Sequence, residues 1–284
     1  MSLLQETKFI MKKYNILANK KLGQNFLIDE YVVNEIVNIA NVSKNDLIIE
    51  IGPGIGTLTK SLLEKAGKVI SIEIDKKMLN ILNDRFLLYK NFELINQDIL
   101  QINLNELITK NINSKITNCK IVANLPYYIT TPIIVKLLEE KLDVQNITIM
   151  VQKEVAERLT AIPGEKNTSS ISHMIYYFAD SEIALEVPKT CFIPSPNVDS
   201  AIINLNFLNE PRVKINNEKE FFKLIQTAFS QRRKTLVNSL LNNNIFSSRE
   251  EAENAISSIN LDVKVRPENL SIYDFANLYN KIHN

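Results

Sequence analysis

Between about residue 46 and residue 149, short apolar runs alternate with amphipathic stretches. The runs at 46–51 (DLIIEI), 68–74 (KVISIEI), 91–96 (NFELIN), 120–125 (KIVANL) and 146–151 (NITIMV) are rich in β-branched residues and predict buried strands. Between them, 57–66 (TLTKSLLEKA), 76–87 (KKMLNILNDRFL) and 132–140 (PIIVKLLEE) carry the spacing of helices with one apolar face. Alternating strands and helices predict an α/β fold: a doubly wound, mostly parallel sheet. Right-handed crossovers then line up the C-terminal ends of the strands along one edge, which is where open sheets of this kind bind ligands.

After Gln152 the pattern changes. Residues 152–159 (QKEVAERL) read as helix, whereas 181–188 (SEIALEVP) and 199–207 (DSAIINLNF) read as strands. A proline-rich loop, 190–198 (TCFIPSPNV), separates the two strands, so they can pair antiparallel at the end of the sheet. Asn209-Glu210-Pro211 is a linker candidate, and three helical patterns follow at 219–241, 248–259 and 269–282. The expected organisation is therefore an α/β domain over 1–208, with an N-terminal arm or short helix over 1–19, and a small all-helical domain over 209–284.

Composition narrows the possibilities. With 284 residues, 45% of them hydrophobic and 23% charged, the chain can bury a substantial core. The formal net charge is only +1, so any basic footprint for nucleic acid must be local. Two cysteines and two histidines, far apart, give no metal-ligand spacing and no disulfide framework, and a reducing cytoplasmic compartment is the default. No apolar run approaches the ~20 residues that span a bilayer, and the N-terminus lacks a signal-peptide core.

The first strand runs into Gly52-Pro53-Gly54-Ile55-Gly56 before a helix. Glycines there let backbone approach a ligand. A dinucleotide fingerprint needs glycine at position 57, where this chain has Thr57, so the spacing favours a ligand without pyrophosphate, such as S-adenosylmethionine, over NAD. A plain strand–helix turn is the competing reading. Glu73 falls near the end of the second strand, where a carboxylate can accept from both ribose hydroxyls. The parity of ISIEI makes Glu73 strand-terminal and leaves Asp75 to cap the next helix. Asp98, after the third strand, can accept from an adenine amino group. Each acid alone could equally be a solvated loop carboxylate.

Asn124-Leu125-Pro126-Tyr127 ends the fourth strand and is the most specific signal in the chain. An adenine amine is a poor nucleophile because its lone pair is delocalised into the ring. Two acceptors, the Asn124 side-chain oxygen and the Leu125 carbonyl, can hold its hydrogens and draw the nitrogen toward tetrahedral geometry. Pro126 stiffens the backbone, and Tyr127 offers a face for a flipped-out base. Phe192, in the loop stiffened by two prolines, is expected to be an exposed second stacking surface; in isolation a phenylalanine is more often core. Arg232, Arg233 and Lys234 form a compact basic cluster at a helix start, suited to phosphate, or else a solvated face.

Together these motifs resemble the ribosomal RNA adenine N6,N6-dimethyltransferases of the KsgA/RsmA family. The resemblance runs from about Lys20 to the C-terminal helices. It rests on Gly23-Gln24-Asn25-Phe26-Leu27, Glu50-Ile51-Gly52-Pro53-Gly54, Asn124-Leu125-Pro126-Tyr127, Gln152-Lys153-Glu154-Val155, Phe192-Ile193-Pro194-Ser195-Pro196 and Gln231-Arg232-Arg233-Lys234-Thr235, in the family's order. It implies a Rossmann-like class I methyltransferase fold and S-adenosyl-L-methionine as methyl donor. Asn25 and Leu27 would close over the cofactor, Gly52 would contact its methionine part, Glu73 its ribose and Asp98 its adenine, with Asn124 between cofactor and substrate. The implied substrates are two adjacent adenosines in a hairpin loop near the 3′ end of 16S ribosomal RNA, and the partner is the assembling small subunit. One local departure is Thr168-Ser169, where the family often has Tyr-Gly. The related macrolide-resistance enzymes share the front motifs but differ from the C-terminal AFSQRRKTLVNSL; DNA adenine methyltransferases usually carry Pro-Pro at the corner. A non-catalytic assembly factor and an NAD dehydrogenase are the other classes weighed, and the intact corner and Thr57 argue against them. Nothing in the sequence signals oligomerisation, so a monomer is expected.

Overall fold

The computed structural model describes residues 1–16, 24–165, 167–231 and 233–283. Five parallel strands form the centre: β2 (Asp46–Ile51), β3 (Lys68–Glu73), β4 (Phe92–Asn96), β5 (Asn118–Asn124) and β6 (Asn146–Gln152). With β7 (Ala179–Val187) and β9 (Ser200–Phe207) they make a seven-stranded sheet in the order β4-β3-β2-β5-β6-β9-β7. β9 runs antiparallel to β6, with Thr148 opposite Asn204. A separate two-stranded ladder pairs β1 (Phe26–Leu27) with β8 (Phe192–Ile193). The order reverses between β2 and β5, so the crevice at their C-terminal ends is the topological switch point.

Every residue of β2 is buried, as expected for a parallel strand covered on both faces. The covering helices include α2 (Glu30–Ile39), α3 (Thr57–Lys65), α4 (Lys76–Phe86), α5 (Leu104–Asn111) and α6 (Thr130–Glu139). α1 (Leu3–Lys13) starts at Ser2 in a capping box, and Glu6 pairs with Arg85 of α4. Tyr14 Oη donates to Asp84 at 2.8 Å, and Ile10 and Ile16 join the apolar core, so the N-terminal arm is a packed helix to Lys13 followed by a turn that stays packed through residue 16. The remainder of the arm, 17–19, lies outside the described residues. Gly56 is held at φ +84°, and a Cβ there would meet Phe86 Cε2 at 2.5 Å, so this glycine lets α3 start hard against α4.

One face of the sheet carries buried polar residues in register, Ser71 and Glu50 on one side of the apolar Val122 and Thr148 and Asn204 on the other. Thr148 donates to Asn204 at 2.9 Å and Ser71 donates to Glu50 at 2.6 Å. Such groups tolerate burial only when paired. Lower on the same face, Lys120 and Asp46 form a buried ion pair at 2.9 Å.

Contacts divide the chain into two compact units: residues 1–156 with 182–207, and residues 157–181 with 208–284. The second unit therefore includes a segment that the sequence pattern placed in the α/β domain. The reason lies in α8 (Ser170–Phe178), a helix absent from the sequence reading. Its Tyr177 and Phe178 join an aromatic cluster with Phe221 and Phe222 of α9 (Glu218–Ala228), and Phe221 in turn meets Tyr279 of α12 (Ile272–His283). The buried His173 ring is held between the Ser169 and Leu270 carbonyls, 3.0 Å from each. Short α7 (Lys153–Leu159) crosses the division. Thr168-Ser169 belongs to this second unit, where Ser169 and Ser172 form the capping box of α8.

The helical pattern over 219–241 is interrupted. α9 ends at Ala228, and α10 (Leu236–Asn242) restarts where Thr235 accepts from the Asn238 N–H. A capping threonine stabilises a new helix start inside an unbroken hydrophobic period. α11 (Arg249–Ser258) follows, capped by Ser248.

Candidate active site

A cavity of about 300 Å³ lies at the C-terminal ends of β2, β3 and β5. Asn25, Leu27, Gly52, Glu73, Asp98, Asn124, Leu125 and Tyr127 all line it, so eight of the sequence-derived candidates converge on one site. The loop after β2 forms its floor. Gly52 and Gly54 sit at φ +68° and +58°, a region that favours glycine. A Cβ on Gly54 would touch the Phe26 ring at 3.5 Å, so the β1 segment closes directly over this loop. Gln24 donates to Asp75 at 2.9 Å, which ties that segment to the end of β3.

Glu73 ends β3 with its carboxylate turned back on the loop. It accepts from the backbone N–H groups of Ile74 and Asp75 at 2.8 Å and of Gly54 at 3.3 Å. Burial pushes its carboxyl above the usual range, and those backbone donors pull against that shift. Asp75 caps α4 by accepting from the Lys77 N–H, as the strand parity predicts. Asp98 accepts from the Leu100 N–H at 2.9 Å, which fixes one carboxylate oxygen in a turn.

Asn124 is the last residue of β5. No described group of the chain takes up its side-chain amide, while the next residue is pinned: the Leu125 N–H donates to the Met150 carbonyl at 3.2 Å. Tyr127 is half-buried, and its hydroxyl lies 2.6 Å from Ser200 Oγ on β9. Burial raises the Tyr127 phenol, so it stays protonated at neutral pH.

Two expectations need correction or restriction. Phe192 is not an exposed platform: it is 2% exposed, it pairs with Leu27 in the β1–β8 ladder, and its side chain belongs to the apolar core. Two prolines in a loop stiffen it, but strand pairing with β1 turns this ring inward. Arg232 lies outside the described residues. Arg233 and Lys234 are exposed in the second unit, just before the cap of α10.

Sequence reasoning overlooked several lining residues. Ile74 and Ile99 give apolar walls next to the two acids. Tyr128, beside Tyr127, reaches the cavity while 58% exposed. Glu50 is the largest omission. It is 1% exposed, lines the cavity, and accepts at one oxygen from Thr59 and Ser71 at 2.7 and 2.6 Å. Among the described residues its other oxygen, Oε1, has no partner. Burial, the largest influence, pushes its carboxyl up to about 7, with Glu73 adding to the rise and the two hydroxyls opposing it. Its signal in the sequence was a charged residue set between isoleucines inside a buried strand.

Two carboxylates at the back of an apolar cavity, one with an unsatisfied oxygen, fit a ligand that brings positive charge and hydroxyl donors. Asn124, whose side-chain amide has no partner among the described residues, lines the same cavity from the end of the adjacent strand β5. These features suit a cationic nucleoside ligand with a second, acceptor-recognised amine beside it.

Comparison with known proteins agrees with this geometry. The family model described as ribosomal RNA adenine dimethylase matches residues 15–284. A ribosomal RNA small subunit methyltransferase A of Clostridium botulinum (strain Loch Maree / Type A3) is 48% identical over 277 residues, covering 98% of each chain. The protein of the same name from Clostridioides difficile (strain 630) is 45% identical, covering 98% of this chain and 95% of its own. Among solved structures, a dimethyladenosine transferase from Plasmodium falciparum superposes with a TM-score of 0.74 at 27% identity, covering 91% of this chain and 98% of that one. The 23S rRNA methyltransferase ErmE shares the fold, with a TM-score of 0.68 at 24% identity.

Proposed function

Because the chain belongs to the ribosomal RNA adenine dimethylase family, we propose that it methylates the N6 amines of two adjacent adenosines in a hairpin loop near the 3′ end of 16S ribosomal RNA, giving N6,N6-dimethyladenosine in the assembling small subunit. S-adenosyl-L-methionine is the methyl donor; when bound, it supplies an electrophilic methyl group on a positively charged sulfur. The observation that carries the reading is the Asn124 amide, without a partner among the described residues, in the same cavity that Glu50 and Glu73 line.

The residues divide the work. Glu73 accepts from the ribose hydroxyls, and its bonds to the loop backbone hold it ready to do so. Asp98 would accept from the adenine amine, with Ile74 and Ile99 supplying apolar surface beside it. Gly52 admits the methionine part, and Asn25 and Leu27 cover it. The negative charge of Glu50 complements the cation. Asn124 Oδ1 and the Leu125 carbonyl accept the two hydrogens of the target amine, so its lone pair turns toward the methyl group. No strong base is needed, since the nitrogen becomes acidic once alkylated. Rate comes mainly from placement. Tyr127, anchored through Ser200, presents its ring to the extruded base.

Arg232, Arg233 and Lys234 serve as phosphate contacts of the helical unit, which acts as its RNA- and ribosome-binding part. The protein works as a monomer in the cytoplasm; among the described residues no helix is long and apolar enough to cross a membrane.

The direct test incubates the protein with labelled S-adenosylmethionine and either small subunits lacking the modification or large-subunit RNA, followed by nucleoside analysis. Dimethyladenosine from small subunits alone supports the proposal. Label in large-subunit RNA alone replaces it with the resistance-type activity, and binding without label leaves an assembly factor.

Two further outcomes are expected. Glu73→Gln should weaken cofactor binding about 10- to 100-fold, the worth of hydrogen bonds to a charged acceptor, as measured by calorimetry; unchanged affinity would remove Glu73 from the ribose site. Arg232→Ala with Arg233→Ala should lower RNA affinity and reduce the slope of log affinity against log salt by about 2. An unaltered slope would show that neither side chain meets a phosphate.

A further inference from the structure

The substrate of the proposed reaction has two target adenosines side by side, and that creates a problem of its own. Drawing one base into the cavity unstacks its neighbour, at a cost of a few kcal/mol. Something at the cavity mouth must receive that neighbour if the cost is to be offset.

Three aromatic residues line the cavity: Phe26, Tyr127 and Tyr128. Phe26 is buried at 5% exposure within the β1–β8 ladder. Tyr127 is half-buried and tethered by its hydroxyl to Ser200. Phe192 lies in the core. Among the described residues, Tyr128 is thus the one cavity-lining aromatic left open, at 58% exposure.

Its backbone is fixed. Tyr127 and Tyr128 are the central residues of a turn closed by the Ile129 N–H donating to the Pro126 carbonyl at 3.2 Å. Thr130 Oγ1 donates to the same carbonyl at 3.2 Å, and α6 begins there. Pro126, the first residue of this turn, has its own φ fixed by its ring. A large aromatic ring is therefore presented to solvent from a stiff corner, next to the ring expected to face the extruded base. An exposed tyrosine on a rigid turn offers stacking area at little cost in entropy.

We propose that Tyr128 is a substrate-positioning residue, stacking on the adenosine adjacent to the one held at Asn124. This rests on the proposed function above. It implies that the enzyme grips the two target bases together, one at the Asn124 corner and one at Tyr128, so that the pair rather than a single adenosine is recognised. Stacking does not need the hydroxyl, so phenylalanine should replace tyrosine without loss.

The test compares wild type, Tyr128→Ala and Tyr128→Phe on small subunits lacking the modification, with KM and kcat measured separately and cofactor affinity by calorimetry. Tyr128→Ala should raise KM for small subunits about 10- to 100-fold, the range for losing one base–aromatic stack. It should leave cofactor affinity unchanged, while Tyr128→Phe keeps wild-type KM. Small subunits whose second adenosine is replaced by an abasic nucleotide should abolish the difference between wild type and Tyr128→Ala. A wild-type KM in Tyr128→Ala overturns the stacking role while leaving the proposed function standing, since the wild type is active in the same assay. Loss in Tyr128→Phe equal to that in Tyr128→Ala also overturns it, because the hydroxyl would then be the acting group. A fall in cofactor affinity would make Tyr128 a wall of the cofactor site instead. A wild type inactive on small subunits removes the proposed function and this inference with it.

Discussion

Replacing Asn124 with alanine is expected to lower methyl transfer about a thousandfold while the protein still folds and still binds cofactor. The side chain ends β5 at the cavity wall, and no described group of the chain uses its amide. Its removal therefore breaks no hydrogen bond among the described residues. The loss falls on the amine, which keeps one acceptor, the Leu125 carbonyl, and can return to planarity. An sp² nitrogen has its lone pair in the ring system rather than toward the methyl group. Because Leu125 stays pinned to Met150 at 3.2 Å, the corner should keep its shape. Single-turnover rates with saturating cofactor, together with calorimetric affinity, separate the two effects. Turnover at the wild-type rate would dismiss the mechanism, and unfolding would show that Asn124 is structural.

Glu50→Gln should change how stability depends on pH. Burial raises the folded-state carboxyl from 4.5 to about 7. Between those values the folded protein holds a proton that the unfolded chain has released. Stability from this group is thus complete below pH 4.5, falls as pH rises through the window, and levels off above 7. A gap of that size corresponds to about 3 kcal/mol. Urea denaturation of the cofactor-free protein at pH 5 and pH 8 should show the wild type losing that much more than Glu50→Gln. Parallel curves would mean that Glu50 does not titrate in this range. Cofactor should restore wild-type stability at pH 8 more than it restores the variant, because the ionised carboxylate has a cation to face only when the site is filled. Glutamine can accept from Thr59 and Ser71 but brings no charge.

Both residues could be found in the sequence, though not equally. Asn124 stood out because four residues with distinct chemical uses follow a strand. Glu50 was visible as a polar interruption of DLIIEI and as the first residue of the glycine-loop motif, with no role attached to it. Its partners lie 9 and 21 positions away, on α3 and β3, and only the parallel register with Ser71 opposite Glu50 brings them together. Phe192 shows the opposite case. Its proline-rich surroundings predicted a stiff, open loop, but Leu27 of β1 pairs with it and the ring lies in the core. A ladder that short leaves no periodic pattern to read. Tyr128 was passed over because two adjacent tyrosines do not reveal which is exposed, and that depends on what packs around the turn.

The sequence by itself determined the central parallel sheet, the glycine loop at its switch point and the acids at the strand ends. These follow from local causes: β-branched runs, the conformational freedom of glycine and the two-residue period that separates Glu73 from Asp75. Tertiary structure alone decided which unit α8 joins, where the helix after β9 breaks, which aromatic rings are open and which carboxylate is buried without a full set of partners. Those outcomes depend on contacts between residues distant in the chain, where burial and pairing are settled by whatever surface folds against them.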